Sequence, residues 1–326
     1  MSRILVTGGS GFIGSALVNA LVRDGHSVRV FDDNSRGNPG RLAKVADDIE
    51  FIAGDIRDPD KVEKAAHGMD EVHHLAFVNG TGFFYRQPDF VLDVGVRGMI
   101  NVIDACRKHK VGTLILASSS EVYQTPSKIP TDESTTLTIP DPLNPRYSYG
   151  GGKLISELMA INFGRKYFER VLIFRPHNVY GPDMGWEHVI PQFALRLNAA
   201  AKSQPSGTLQ FEIQGTGRET RSFCFIDDLI AGVLIMRKKA AHLGIYHIGT
   251  AEETTIAELA RRIAHISDRE IKLIAGKSMP GSTVRRCPDI SKLASLGYKP
   301  RVSLDEGLRP TLHWYWHNAA LAPKEP

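Results

Sequence analysis

The sequence predicts an α/β protein built on a doubly wound parallel sheet, with a smaller, interleaved C-terminal unit. Three observations carry that prediction. Short apolar runs alternate with amphipathic helical stretches through residues 4–174, and the runs lack the in/out alternation of half-exposed strands. A glycine-rich turn, Gly8-Gly9-Ser10-Gly11, joins the first run to the first helical stretch. From Pro176 onward Gly, Pro and polar turns become denser, so a different architecture is expected there.

Taken in order, residues 4–7, 28–31, Ile49–Ala53, 71–75, Thr113–Ala117 and 171–174 read as buried strands. Phe12–Arg23, 58–66, 90–108 and Ser148–Tyr167 read as helices, the second with Asp58 as N-cap and Pro59 in its first turn. A parallel sheet has helices on both faces, because each crossover lays one against it. This is the Rossmann arrangement, which binds ligands outside the carboxyl ends of its strands. Beyond it, Leu209–Ile213 reads as an isolated strand and the helices as short, with Thr255/Glu258 and Ser303/Glu306 at capping-box spacing. The division expected is 1–175 together with part of 224–248, then a substrate-binding unit over 176–318, then a frayed tail at 319–326. No internal repeat is visible.

Composition excludes several classes. The net charge of +4 comes from 40 basic and 36 acidic residues dispersed along the chain, with no footprint for nucleic acid or a membrane surface. A mild positive balance suits a small anionic ligand. Cys106, Cys224 and Cys287 are far apart and form no Cys-x-x-Cys, which argues against a disulfide framework and against a zinc site. No His or Cys cluster has metal-ligand spacing, so no metal is expected. No apolar run approaches the ~20 residues of a spanning helix, and no leader precedes the first strand; a cytoplasmic protein is expected.

The spacing Gly8-x-x-Gly11-x-x-Gly14, with Phe12 and Ile13 opening the helix, suits a pyrophosphate. Small residues let the backbone approach, and the helix N-terminus supplies oriented N–H donors. Asp32 closes the second strand 18 residues after Gly14. A carboxylate there accepts from a ribose 2′-hydroxyl and repels a 2′-phosphate, favouring NAD over NADP, with Arg36 as a nearby counter-signal. Gly54-Asp55-Ile56 follows the third strand, where it can hold the adenine edge. Tyr149 and Lys153, four residues apart, share one helix face. The ammonium is expected to favour the phenolate, lowering a pKa that starts near ~10 and giving a general acid/base for a sugar-type hydroxyl.

With these residues in register with Ser118-Ser119-Ser120-Glu121-Val122-Tyr123, the chain resembles the extended short-chain dehydrogenase/reductases. More narrowly, it resembles the nucleotide-sugar epimerase/dehydratase family. Further matching blocks at 175–182, 221–228 and 286–290 extend the resemblance from residue 4 to about 316. It implies a tightly held NAD that takes a hydride from a sugar carbon, usually C4, and returns it. Tyr149 would move the hydroxyl proton, Lys153 would tune it and bind the nicotinamide ribose, and Ser119 would hold the same sugar oxygen. Asp55, Ile56, Leu75 and Ala76 would line the cofactor. Asn178, Val189, Arg221 and Arg286 would hold the nucleoside-diphosphate sugar, and helices 90–108 and Ser148–Tyr167 would form a homodimer.

Glu121 bears most on the reaction. By the resemblance, enzymes that only invert C4 tend to lack an acid there. In 4,6-dehydratases a glutamate removes the C5 proton and a preceding aspartate protonates the leaving hydroxyl. Some dehydratases and decarboxylases carry a Ser in place of that aspartate, and here the pair is Ser120-Glu121, so the base is present and the strongest candidate acid is missing. C4 epimerisation of a UDP-hexose is expected. Dehydration (4,6- or 5,6-type) or decarboxylation with Glu121 as base is the alternative, and a non-catalytic NAD- or nucleotide-sugar-binding regulator remains a third.

Other departures stand out. Gly95 replaces the family's Asn, and Phe77-Val78 replaces Ala-Ala. Gly150, Gly151 and Gly152 sit inside the catalytic helix at about 1 kcal/mol each relative to Ala, which suggests close approach of another group. His73 and His74 are expected to pack at a strand end. Trp314, Tyr315 and Trp316, with His313 and His317, should dock a helix against the second unit. Trp186 and His188 are candidates for the sugar pocket.

Overall fold

The computed structural model describes residues 1–277 and 283–323. The first half runs β1 (Arg3–Thr7), α1 (Phe12–Arg23), β2 (Ser27–Asp32), β3 (Ile49–Ala53), α2 (Pro59–Ala66) and β4 (Glu71–His74). There follow α3 (Thr81–Arg86), α4 (Pro88–Leu92), α5 (Gly98–Lys108), β5 (Thr113–Ala117), α6 (Ser148–Tyr167) and β6 (Arg170–Pro176). The second half holds β7 (Val179–Tyr180), α7 (Val189–Ser203), β8 (Leu209–Ile213), β9 (Thr220–Arg221), β10 (Cys224–Phe225), α8 (Ile226–Lys239) and β11 (Gly244–Ile248). It closes with β12 (Thr254–Thr255), α9 (Ile256–Ile266), β13 (Ile271–Ala275), β14 (Arg285–Arg286), α10 (Ser291–Ala294) and α11 (Leu304–His317).

Seven strands form one sheet in the order β11-β6-β5-β4-β1-β2-β3, all pairs parallel. The order reverses at β1, so the crevice between the carboxyl ends of β1 and β4 is the ligand position of such a sheet. Side chains from alternate strand positions feed two cores. Ile4 and Val6 of β1 pack with Leu17 and Leu21 of α1 and Leu229 and Val233 of α8. Leu5 joins Val62 of α2, Val102 and Ile103 of α5 and Ala160 of α6 on the other face. The first core continues without a break into Leu304, Leu308 and Leu312 of α11, which holds the C-terminal half against the sheet.

Several expectations change. The helix expected over 90–108 is interrupted by a π-helical turn, Asp93–Arg97, between α4 and α5. β3 is an edge strand with Glu50, Phe51 and Ala53 exposed, not a buried one. β8 pairs in parallel with β13 and is not isolated. The helices α7, α8 and α11 have 15, 14 and 14 residues and are not short. β11 falls in the 224–248 stretch expected to join the first unit, but it was not read as a strand, because its seat beside β6 comes from packing and not from a distinctive local pattern. Asp58 caps α2 by accepting from Lys61 N, and Ser303 with Glu306 completes a capping box. Of the expected tail, Ala319–Leu321 forms a 3₁₀ turn and residues 324–326 lie outside the described residues.

Candidate active site

A cavity of ≈ 410 Å³ opens at the carboxyl ends of the central strands. At one end lie Gly8, Gly11, Phe12, Ile13, Gly14 and Asp32; at the other, Ser119, Ser120, Glu121, Tyr149 and Lys153; Ile56, Leu75, Ala76, Asn178 and Arg286 also line it. The glycine turn fits the pyrophosphate of NAD. Gly8 has φ +73°, and a Cβ there would lie 2.7 Å from the Ala76 nitrogen. Gly14 must lack a Cβ because it would sit 2.0 Å from the Gly8 oxygen. No side chain caps α1 and no acidic residue occupies its first turn, so the N–H groups there suit an anion. The Asp32 carboxylate is oriented by two backbone donors, Ser10 N at 3.0 Å and Asn34 N at 2.9 Å. Arg36 stacks over the Phe83 ring at 4.7 Å from its centroid. Arg41 donates to Asp183 at 2.7 Å and to the Ser10 carbonyl at 3.2 Å, tying the glycine turn to the loop after β7.

At the other end, Tyr149 is 7% exposed, stacked on Phe84 with ring centroids 4.9 Å apart. Burial pushes its phenol pKa up, the Ser119 hydroxyl works against that, and Glu121 adds to it. Lys153 is buried and donates to the Ala117 carbonyl at 2.6 Å. Its Nζ lies 5.9 Å from the Tyr149 ring centroid, and burial draws its pKa from 10.5 down to about 7. The expected direct pull of Lys153 on the phenol is therefore weaker than spacing suggested: the helix puts both on one face, but desolvation dominates each group. His74 nearby is hydrogen-bonded to Thr7 Oγ1 at 2.8 Å, and burial lowers its pKa to about 3, so it stays neutral packing.

Glu121 accepts from Arg286 Nη1 at 2.7 Å. Burial works to raise its carboxyl, but Arg286, with Arg146 and Arg221, outweighs it and holds the pKa below the ordinary value. Burial brings Arg221 from 12.5 down to about 10, with Arg286 and Arg146 repelling it and Glu121 opposing. Arg286 thus contacts the carboxylate, and Arg146 and Arg221 add positive charge to its surroundings. The Nε of Arg146 is buried without a partner among the described residues.

Three expected site residues stand apart from the cavity wall. Asp55 is bound by Arg57, with Nη2 to Oδ2 at 2.6 Å, while its neighbours Gly54 and Ile56 line the wall. Arg221 donates to the Thr220 carbonyl at 2.7 Å, and Val189 packs partly buried at the start of α7. Trp186 packs on Trp314 and Tyr315 of α11, whereas His188 lines the cavity. The sequence reading missed Phe84 and Arg146. Arg146 sits in the 3₁₀ turn Pro145–Tyr147 ahead of α6, outside the helix whose face the sequence reading used, so that spacing did not mark it. Phe84 gave no signal, since α3 reaches Tyr149 only through the fold. Among the described residues, no His, Cys, Asp or Glu group could hold a metal, and no helix is long and apolar enough to cross a membrane.

Comparison with known proteins agrees with this geometry. The sequence profile of the NAD dependent epimerase/dehydratase family matches residues 4–249. The chain is 32% identical over 319 residues to a putative UDP-glucose 4-epimerase of Methanocaldococcus jannaschii, covering 97% of this chain and 99% of that one. It is 32% identical over 316 residues to UDP-glucuronic acid decarboxylase 6 of Arabidopsis thaliana, covering 94% and 86% respectively. Its fold superposes with a TM-score of 0.86 and 29% identity on DesIV, a dTDP-glucose 4,6-dehydratase of Streptomyces venezuelae solved with NAD bound, covering 98% of each chain. Cradle, crevice and relatives lead to one conclusion: the chain belongs to the NAD-dependent epimerase/dehydratase family of nucleotide-sugar enzymes.

Proposed function

We propose that the protein interconverts nucleoside-diphosphate sugars, UDP-hexoses first among them, through a transient 4-keto sugar, with C4 epimerisation as the reaction. One observation carries this reading: Tyr149 and Ser119 meet at one end of a cavity whose other end is the glycine cradle. Bound NAD supplies the hydride acceptor and donor. Tyr149 takes the proton of the C4 hydroxyl and later returns it, while Ser119 donates to the same oxygen and fixes it. Lys153, anchored on the Ala117 carbonyl, stands within one helical turn of the phenol and carries its charge there below a pH of about 7. Asn178 and Arg286 hold the diphosphate from the cavity wall, with Arg146 adding a further donor group, and Arg221 joins them by leaving the Thr220 carbonyl. Asp55 and Val189 act from behind the wall.

Epimerisation needs no second acid, which suits Ser120 at the position before Glu121. Glu121 is tied to Arg286 at 2.7 Å, which lowers its basicity toward a C5 proton. In this reading the chain works in the cytoplasm with its three cysteines free and buried. Residues 176–318 form the nucleotide-sugar unit, and two copies pair through α5 and α6, where Ile100, Ile155 and Leu158 are exposed.

Decarboxylation is the second reading, favoured by the three arginines around Glu121. A C6 carboxylate would meet surplus positive charge there, and oxidation at C4 would make it a β-keto acid that releases carbon dioxide. A panel of nucleoside-diphosphate hexoses and uronic acids, followed by mass spectrometry and sugar analysis, separates the readings. Epimerisation conserves mass, dehydration loses water and decarboxylation loses carbon dioxide. Tyr149→Phe should abolish turnover while NAD stays bound. No change in any nucleotide sugar, or a Tyr149→Phe enzyme as active as wild type, overturns the proposal.

A further inference from the structure

Three departures from the family pattern meet at one point. Phe77 follows β4, Gly95 lies in the π-helical turn, and Gly152 lies in α6. A Cβ on Gly95 would lie 2.2 Å from Cζ of Phe77, and one on Gly152 would lie 3.0 Å from the same atom. The ring therefore occupies a slot that two glycines leave open. Its face carries the Lys153 ammonium 4.1 Å from the centroid, and it meets the Tyr149 ring at 86° with centroids 5.2 Å apart. An Asn at position 95, as in the family, would need the volume the ring fills. Phe77 and Gly95 are thus one exchange: a π face in place of a polar side chain.

We propose that Phe77 is a positioning residue for the proton-handling pair, its face holding the Lys153 ammonium over the Ala117 carbonyl and its ring setting the plane of Tyr149. The inference rests on the catalytic reading of that pair. A cation over an aromatic face is favoured in its charged form. Losing the face should therefore make Lys153 neutral at lower pH, so that any activity requiring its charge fades earlier as pH rises.

The test uses the NAD-loaded enzyme and the nucleotide sugar it turns over. Phe77→Leu keeps most of the volume and removes the π face. It should lower kcat about tenfold and move the alkaline limb of the kcat profile to lower pH, with KM changed by no more than about twofold. Gly95→Asn and Phe77→Ala should each lower the melting temperature, while the double variant, which restores the family's pair, should melt above Gly95→Asn and recover turnover relative to Phe77→Ala. A Phe77→Leu enzyme with the wild-type kcat and pH profile overturns the proposal, as does a double variant no better than Gly95→Asn. If wild type turns over no nucleotide sugar, the proposed function falls and the positioning role with it. Turnover with an unchanged Phe77→Leu removes only the role of Phe77.

Discussion

Replacing Lys153 by Met should stabilise the cofactor-stripped protein near neutral and acidic pH. Lys153 is 3% exposed, and burial brings its pKa from 10.5 down to about 7. At about 1.4 kcal/mol per pH unit, that gap corresponds to a cost of about 5 kcal/mol for keeping the charge folded. The Met variant forfeits the hydrogen bond to Ala117 and the contact with Phe77, together worth about 2 kcal/mol, so a net gain of about 3 kcal/mol is expected at pH about 6. The sign follows from proton counting. Between about 7 and 10.5 the unfolded chain binds the lysine proton and the folded chain does not, so wild-type stability rises with pH through that window. The variant lacks this rise. Urea unfolding of both proteins at pH about 6, about 7.5 and about 9 should therefore show the advantage of Met shrinking as pH increases. Parallel stabilities across that range, or a wild type more stable at pH about 6, would refute the claim that the folded site strains to keep this ammonium charged.

Further outcomes follow from other contacts. Gly8→Ala forces a Cβ to 2.7 Å from the Ala76 nitrogen at φ +73°, and the purified protein should carry little NAD when its nucleotide content is measured after denaturation. Gly151→Ala meets only Ile139 Cδ1 at 3.6 Å and should raise stability by about 0.5–1 kcal/mol. Gly150→Ala should lower it, because its Cβ would sit 2.8 Å from the Glu121 carbonyl oxygen; thermal melting compares the two. Glu121→Gln leaves Arg286, Arg146 and Arg221 without their shared counter-charge and should lower stability to urea at neutral pH. Because the folded carboxyl titrates below its ordinary 4.5, that difference is present above this pH and should vanish as pH falls through the lower folded value.

The Gly150–Gly152 run shows how far local reading reached. Three helix-weakening residues in a row signalled close approach, but the structure assigns it to Gly150, against Gln124 and Glu121, and to Gly152, against Phe77. Gly151 has no such neighbour, since consecutive helical residues point about 100° apart. Glu121 was legible as a chemical group, but not its partner. Arg286 is 165 residues away and reaches it only because β14 pairs with β9 in the second half.

Residues in the chain alone determined the parallel sheet, the glycine cradle, Asp32 after β2, and the Tyr149–Lys153 helix face, because each depends on periodicity or spacing within one or two adjacent elements. Tertiary structure decided the electrostatic state of those groups. It buried Lys153 until its pKa fell to about 7, tied Glu121 to Arg286, and placed Phe77 in the slot beside Gly95. Desolvation and long-range ion pairing depend on which segments meet in space, and no window along the chain records that.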